Sequence, residues 1–212
     1  MPSTRTFTAL RNGATEARLE LSRGGTHITI RAAEIDELCR AEFTGVTPKA
    51  TANGGIVKFD YARYSAAELL RHPAHRAEIE LTPALPWSLA FNGGLGRSTA
   101  DLRGLELQGL EIAAGAGDLR VVLPAPQGVV PVRFGGGISK VTIDHPAGTA
   151  IGLRIAGGAS RLAFDGQRYG ALGGETRLES TGARDAADRY EIEVGGGASE
   201  LTVEELEAGE AR

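Results

Sequence analysis

Gly-Gly-Gly-Ile-Ser-Lys-Val-Thr-Ile, residues 135–143, is a run of glycines followed by a short segment in which apolar and polar residues alternate. The same phrase, a glycine pair or triplet before a short segment, recurs along the whole chain. The other copies begin at Gly24, Gly54, Gly93, Gly115, Gly157 and Gly195, and a degenerate copy begins at Gly173. We therefore treat the sequence as a set of repeats joined at glycine-rich corners.

The spacing of the glycines is regular in the second half of the chain. Gly94 and Gly117 are 23 residues apart (117 − 94), Gly117 and Gly137 are 20 apart, and Gly137 and Gly158 are 21 apart. The gap from Gly158 to Gly197 is 39 residues (197 − 158), close to two periods. A fixed period of roughly 20–50 residues is typical of repeat architectures.

The segments between the glycines have the period of β-strands. Apolar residues occupy every second position, as in residues 119–123, 151–155 and 190–194, which indicates half-buried strands. Strands of successive repeats, stacked about 4.8 Å apart, would close an apolar interior, with glycine at the tight corners. The sequence therefore predicts an all-β protein, a β-solenoid with a coil period of about 20 residues. A β-sandwich is the alternative, because it also has evenly spaced short strands.

Composition sets limits on the class of protein. Hydrophobic residues make up 42% of the chain and aromatic residues only 5%, so the predicted core consists mainly of small aliphatic side chains. The net charge is −4 with both signs interspersed, and no basic block is present, so we expect no nucleic-acid partner. The single cysteine, Cys39, is expected to be a small, partly buried apolar side chain.

We expect one domain, residues 1–212. Residues 1–85 form less regular coils with a short helix near 65–72, which Ser65 would cap and Pro73 would end. Residues 86–203 form the regular coils, and residues 204–212 form a polar tail. No signal segment and no membrane-spanning stretch is recognisable, so we expect a cytoplasmic protein without direct membrane insertion.

Few residues suggest chemistry. His72, His75 and Glu78 have a spacing that zinc can use, but no third histidine or cysteine is nearby. Asp144 and His145 are neighbours on a predicted strand, so their side chains point to opposite faces and cannot form a catalytic pair. We expect no catalytic residue, no metal site and no cofactor, and therefore no enzyme. We also expect His145 at the surface or in a turn.

Three aromatic residues are weak candidates for binding a partner. They are Trp87, Tyr169 and Tyr190. A lone tryptophan more often fills a core layer, and nothing in the sequence brings the three rings together.

The glycine phrases carry a family resemblance. The run from Trp87-Ser-Leu through Asn92-Gly-Gly to Leu102-Arg-Gly-Leu105, and then Gly115-Ala-Gly-Asp118, resembles the toastrack family. That family includes the C-terminal domain of LiaF-like envelope stress proteins and related adhesin-like β-solenoids. The similarity covers residues 85–203 well and 15–60 loosely. It implies a single-stranded right-handed β-helix that serves in sensing, adhesion or scaffolding at the bacterial envelope.

Two functions follow as expectations. The first is a non-enzymatic interaction or scaffold module that binds a protein partner or associates with itself, with envelope association through a partner as the alternative location. The second is a carbohydrate-binding or carbohydrate-active β-helix, which rests on fold analogy.

Overall fold

The computed structural model describes residues 4–23, 25–61 and 76–206, and every regular element in them is a β-strand. The prediction of an all-β protein is confirmed. The helix expected near residues 65–72 lies outside the described residues, as do His72 and His75. The strands are β1 (Thr4–Ala9), β2 (Ala17–Ser22), β3 (Gly25–Thr26), β4 (Ile28–Ala32), β5 (Cys39–Thr44), β6 (Lys49–Asn53), β7 (Ile56–Asp60), β8 (Arg76–Leu81), β9 (Pro86–Phe91), β10 (Leu95–Asp101), β11 (Glu106–Ile112), β12 (Ala116–Val122), β13 (Val129–Phe134), β14 (Ile138–His145), β15 (Ala150–Ile155), β16 (Ala159–Phe164), β17 (Gln167–Leu172), β18 (Thr176–Glu179), β19 (Arg189–Val194) and β20 (Ala198–Glu205).

The strands form two mixed sheets. Sheet A has the order β1-β5-β8-β4-β10-β12-β14-β20-β16-β17, with β3 also paired to β10. Sheet B has the order β6-β7-β2-β9-β11-β13-β19-β15-β18. We group one strand of sheet B with one strand of sheet A as a layer, and the layers in spatial order are β6/β5, β7/β8, β2/β4, β9/β10, β11/β12, β13/β14, β19/β20, β15/β16 and β18/β17.

Alternation of side chains explains why both sheets bury one face. In β14 the side chains of Ile138, Val141 and Ile143 are buried, whereas Ser139 and Lys140 are exposed. The buried residues of the two sheets form one continuous hydrophobic cluster that runs from Ala9 to Val203. Apolar burial of this extent is the main favourable term in folding.

The layers do not follow sequence order, and this corrects the expectation that successive coils stack on one another. From β9/β10 to β13/β14 the order in space is the order in sequence. The next layer in space is β19/β20, and β15/β16 lies beyond it. The last described layer is therefore inserted between two layers that precede it in the chain.

The opposite end of the molecule shows the same exchange of order. The β7/β8 layer pairs in parallel with β2/β4 on one side. On its other side it pairs antiparallel with β6 and β5, which precede it in sequence. Both sheets carry antiparallel strands at both ends, because β17 and β18 also run antiparallel to their neighbours.

Glycines form a column where the chain passes from sheet B to sheet A. A Cβ atom on Gly115 would lie 2.4 Å from the carbonyl oxygen of Gly137, and one on Gly196 would lie 2.6 Å from the amide nitrogen of Gly137. The amide of Ile138 donates to the Gly197 carbonyl at 2.9 Å. Backbones approach so closely here that no side chain fits, which is the physical reason for the repeated phrase.

Two local expectations need adjustment. Glu204 and Glu205 were expected in a polar tail, but they complete β20, whereas residues 207–212 lie outside the described range. Cys39 is fully buried in β5 rather than partly buried. Desolvation of the thiol, the largest cause, raises the pKa of Cys39 to about 12.

Candidate functional site

Five charged residues stand at equivalent positions on five neighbouring strands of sheet A. In spatial order their charges alternate in sign, and each residue has a positive φ between 48° and 61°. We call them the charge ladder: Arg97, Asp118, Lys140, Glu200 and Arg161.

The left-handed backbone conformation at the ladder interrupts each strand at the same level. The residues before and after Asp118 pair with those around Lys140, and the pairing resumes in register beyond them. A single residue with positive φ inside a strand bends the strand locally, as in a β-bulge. Because the bends line up across layers, they shape a continuous depression in the outer surface of sheet A.

This depression is a groove of about 520 Å³. Its lining is polar and carries charges of both signs. The lining residues are Arg97, Ser98, Thr99, Asp118, Leu119, Arg120, Lys140, Thr142, Glu200 and Thr202. A second hollow of about 420 Å³ continues it toward β17, where Arg161, Arg168, Tyr169 and Glu204 line it.

Ion pairs fix some of the charges around the groove. The Arg120 Nε donates to Asp144 at 2.7 Å, and Glu200 lies 3.1 Å from Arg161. At the end of β10, the side-chain hydrogen bond from Arg103 lowers the pKa of Asp101. The surface therefore presents an ordered pattern of charges.

A buried hydroxyl supports the groove from below. Ser98 points into the core, accepts a hydrogen bond from the Ile28 amide at 3.2 Å and donates to the Gly96 carbonyl at 3.0 Å. The neighbouring chain is interrupted between β3 and β4, at His27, which also has a positive φ of 59°. Ser98 thus satisfies a backbone donor that the interruption leaves unpaired.

The structure separates the three aromatic candidates. Trp87 is fully buried in β9, and its Nε1 donates to the Thr82 carbonyl at 2.8 Å. Tyr190 is fully buried in β19, its hydroxyl donates to the Pro124 carbonyl at 2.9 Å, and burial raises its pKa. Both are core residues and are not part of the candidate site. Tyr169 is half-buried, lines the second hollow and donates to Gln167.

Asp144 and His145 have different partners. Asp144 pairs with Arg120, whereas the Nδ1 of His145 lies 3.1 Å from the Pro146 carbonyl oxygen. His145 is buried at the end of β14, so the expectation of a surface or turn position was wrong. Among the described residues, no group of three or more histidine, cysteine, aspartate or glutamate side chains is arranged to hold a metal ion.

The charge ladder was missed by the sequence analysis, although the sequence contains a signal for it. In five copies of the phrase, the third residue after the last glycine of the corner is charged. That position follows Gly94, Gly115, Gly137, Gly158 and Gly197. The sequence analysis used only the glycines and the apolar alternation, and it therefore missed this charged position, which recurs as regularly.

Comparison with known proteins identifies the family. The model of the N-terminal domain of toast_rack, DUF2154, matches residues 2–144. This match covers more than half of the chain, so the protein belongs to the toast_rack family. The predicted resemblance is confirmed, and the match includes the first part of the chain, where the sequence similarity was loose.

Solved structures support the fold. A crystal structure described as a "putative cell adhesion protein" from Clostridium sporogenes superposes with a TM-score of 0.63 at 14% identity. The alignment covers 97% of this chain and 100% of that one. A "putative adhesin" from Bacteroides fragilis aligns with a TM-score of 0.35 at 9% identity, over 97% of each chain.

Two further comparisons are negative. No curated protein matches the sequence at a significant level. In the part of the chain that the structure describes, no helix has the length and apolarity needed to cross a membrane.

Proposed function

We propose that this protein is a non-enzymatic interaction module of the adhesin or scaffold kind, and that it binds a protein partner in the groove of sheet A. The observation that carries the proposal is the charge ladder, which places alternating charges on neighbouring strands about 4.8 Å apart. A surface of this kind selects a partner through electrostatic complementarity. The occupant that fits is an extended polypeptide segment with charged side chains of both signs.

The architecture is part of the proposal. We infer that the two sheets are the faces of a single-stranded right-handed β-solenoid. The support is the passage of the chain from a sheet B strand to a sheet A strand in each central layer, together with the glycine column at that passage. A rigid stack holds the ladder residues in fixed positions, which reduces the entropy lost when a partner binds.

The chemistry of the groove agrees with a binding role. Two of its charged groups are held by ion pairs, Arg120 with Asp144 and Glu200 with Arg161. The carbohydrate alternative has less support, because the Trp87 and Tyr190 rings, which could stack on a sugar, are buried. We further propose that the protein associates with the bacterial cell envelope through the bound partner.

A charge-reversal pair tests the groove. In the variant Arg97→Glu/Lys140→Glu, the two ladder cations that line the groove, both exposed, change sign. The matched control Arg5→Glu/Lys49→Glu makes the same change at exposed positions of β1 and β6, at the far end of the molecule. Proteins from the source organism that bind the wild type are purified, and their affinities for the wild type, the groove variant and the control are measured.

We expect the groove variant to bind such a partner roughly tenfold more weakly than the wild type, with the control unchanged. Equal binding by both variants would show that the groove is not the contact surface. If neither the wild type nor the control retains any protein, while an array of glycans gives specific binding, the carbohydrate alternative replaces the proposal.

A further inference from the structure

The β19/β20 layer is acidic where its two neighbours are basic. On sheet B, Glu193 stands between Arg133 and Arg154, in register with both. On sheet A, Glu200 stands between Lys140 and Arg161 at ladder positions. On one side of the layer, Glu193 lies 3.2 Å from Arg133 of β13. On the other side, Glu200 lies 3.1 Å from Arg161 of β16.

The alternation exists only because the layer is inserted. If β15/β16 followed β13/β14 directly, Arg154 would stand opposite Arg133 on the outer face of sheet B. On sheet A, Arg161 would stand opposite Lys140. Like charges directly opposite one another on neighbouring strands are destabilising. The two basic layers therefore do not close on each other, and the position between them accepts an acidic pair of strands.

The glycine corner between the two strands of a layer further restricts which strands can fill the position between β13/β14 and β15/β16. A Cβ on Gly196 would lie 2.6 Å from the Gly137 nitrogen, and one on Gly157 would lie 2.9 Å from the Gly197 nitrogen. The occupant must turn through glycines between its two strands. The sequence has two glycine triplets, residues 135–137 and 195–197, and the first is flanked by basic residues. Only Glu193–Glu200 combines the triplet with acidic flanks.

In the described chain, the inserted layer is connected along the backbone on one side only, because no described strand follows β20. When the layer leaves, β15 and β16 lose their parallel partners until another layer fills the position. The inserted layer joins β18 through residues 180–188, which contain turns and no strand. Fully extended, this connection reaches about 30 Å.

We propose that β19/β20 exchanges between copies of this protein, so that the layer of one copy fills the position between β13/β14 and β15/β16 of a second copy. Each contact of the closed monomer is reproduced in the exchanged dimer, as in domain swapping. The monomer prevails at low concentration because its own layer has the higher effective concentration. Exchange appears after the layer has been opened at high protein concentration. This proposal does not depend on the groove of sheet A.

Single cysteines report the exchange. The Ser160 and Ser199 hydroxyl oxygens lie 3.4 Å apart on β16 and β20, which suits a disulfide, and the native Cys39 is buried. A Ser160→Cys copy and a Ser199→Cys copy, carrying different mass tags, are unfolded in denaturant, refolded together at high concentration and oxidised. The control mixes Thr51→Cys, an exposed position on β6, with Ser199→Cys.

We expect the covalent heterodimer from Ser160→Cys and Ser199→Cys to exceed the control heterodimer by about fivefold or more. Adding Glu193→Lys/Glu200→Lys to the Ser199→Cys copy should lower that yield about threefold or more, and Arg154→Glu/Arg161→Glu in the other copy should restore it. Heterodimer at the control level would overturn the exchange. A yield that charge reversal leaves unchanged would overturn the electrostatic selection. Neither result would bear on binding of a partner in the groove.

Discussion

The two ends of the molecule both place a layer out of sequence order, and they hold it by different means. At the N-terminal end, β7/β8 lies between β2/β4 and β6/β5. Glu80 of β8 pairs with Arg31 and also lies 3.6 Å from Arg40. Phe59 of β7 contacts Phe43 edge-to-face, with ring centroids 4.9 Å apart. The β7/β8 layer is followed in the chain by β9, so it cannot leave without moving the central layers.

At the C-terminal end, the inserted β19/β20 layer also buries apolar side chains, such as those of Tyr190 and Leu201, and it adds the glycine corner and exposed ion pairs. The acidic strand between basic strands is common to both ends, since Glu80 stands between two arginines as Glu200 stands between Lys140 and Arg161. The difference lies in the core and in the connections. We infer that charge complementarity favours the place of both layers, whereas the Phe59–Phe43 ring contact and the onward connection to β9 hold β7/β8 more firmly than β19/β20.

The largest effect is expected at the locked end. Phe59→Ala removes a fully buried ring that contacts both Phe7 and Phe43, and it should lower the free energy of unfolding by about 4 kcal/mol. Phe59→Leu, which keeps most of the apolar volume, should lose about 1–2 kcal/mol. Urea denaturation measures both. A loss below about 1 kcal/mol for Phe59→Ala would show that the aromatic cluster does not lock this end.

The next effect is expected at the glycine corner. Gly196→Ala places a methyl group 2.6 Å from a backbone nitrogen, and because backbone cannot move aside cheaply, we expect a loss of about 3 kcal/mol. Gly170→Ala is the control, because nothing lies within 4 Å of its Cβ, and its effect should stay within about 0.5 kcal/mol. Thermal unfolding of the two variants compares them. Similar melting temperatures would mean that the corner tolerates a side chain.

The smallest expected change in the free energy of unfolding comes from removing one ion pair at each end of the molecule. The side chain of Glu80 is 20% exposed and contacts two arginines, whereas that of Glu200 is 46% exposed. Glu80→Gln should cost about 1–2 kcal/mol and Glu200→Gln about 0.5 kcal/mol. Glu106→Gln, at an exposed position, controls for the loss of a negative charge. A larger loss for Glu200→Gln than for Glu80→Gln would reverse this part of the comparison.

The class of fold and the positions of the corners could be predicted from the sequence, because the alternation of apolar residues and the presence of glycine are local properties of the chain. The glycine phrase located the corners, whereas the reason for glycine there, the close approach of backbones such as those of Gly115 and Gly137, came from the structure. It also suggested that the gap between Gly158 and Gly197 holds one degenerate copy at Gly173. Gly173 of that copy does lie beside Gly158, at the outer end of the column, but the strands before and after it, β17 and β18, run antiparallel to their neighbours.

The order of the layers could not be read from spacing. Strands that share an edge in space can be far apart in sequence, as the strands of Lys140 and Glu200 are. The candidate site shows the same limit. Trp87 and Tyr190 were conspicuous by residue type, yet their position in the alternation sends them inward. The alternation of charge along the ladder is visible only in the structure, where its five strands are neighbours.

The central claim is the insertion of β19/β20, and two double-cysteine variants test it most directly. Ser160 and Ser199 are on neighbouring strands, whereas Ser139 and Ser160 are separated by β20, about 9.6 Å apart. A disulfide needs Cα atoms within about 7 Å. On oxidation at low protein concentration, Ser160→Cys/Ser199→Cys should form an intrachain disulfide, and Ser139→Cys/Ser160→Cys should not. A disulfide in the second variant and none in the first would show that the layers stack in sequence order, and would contradict the account.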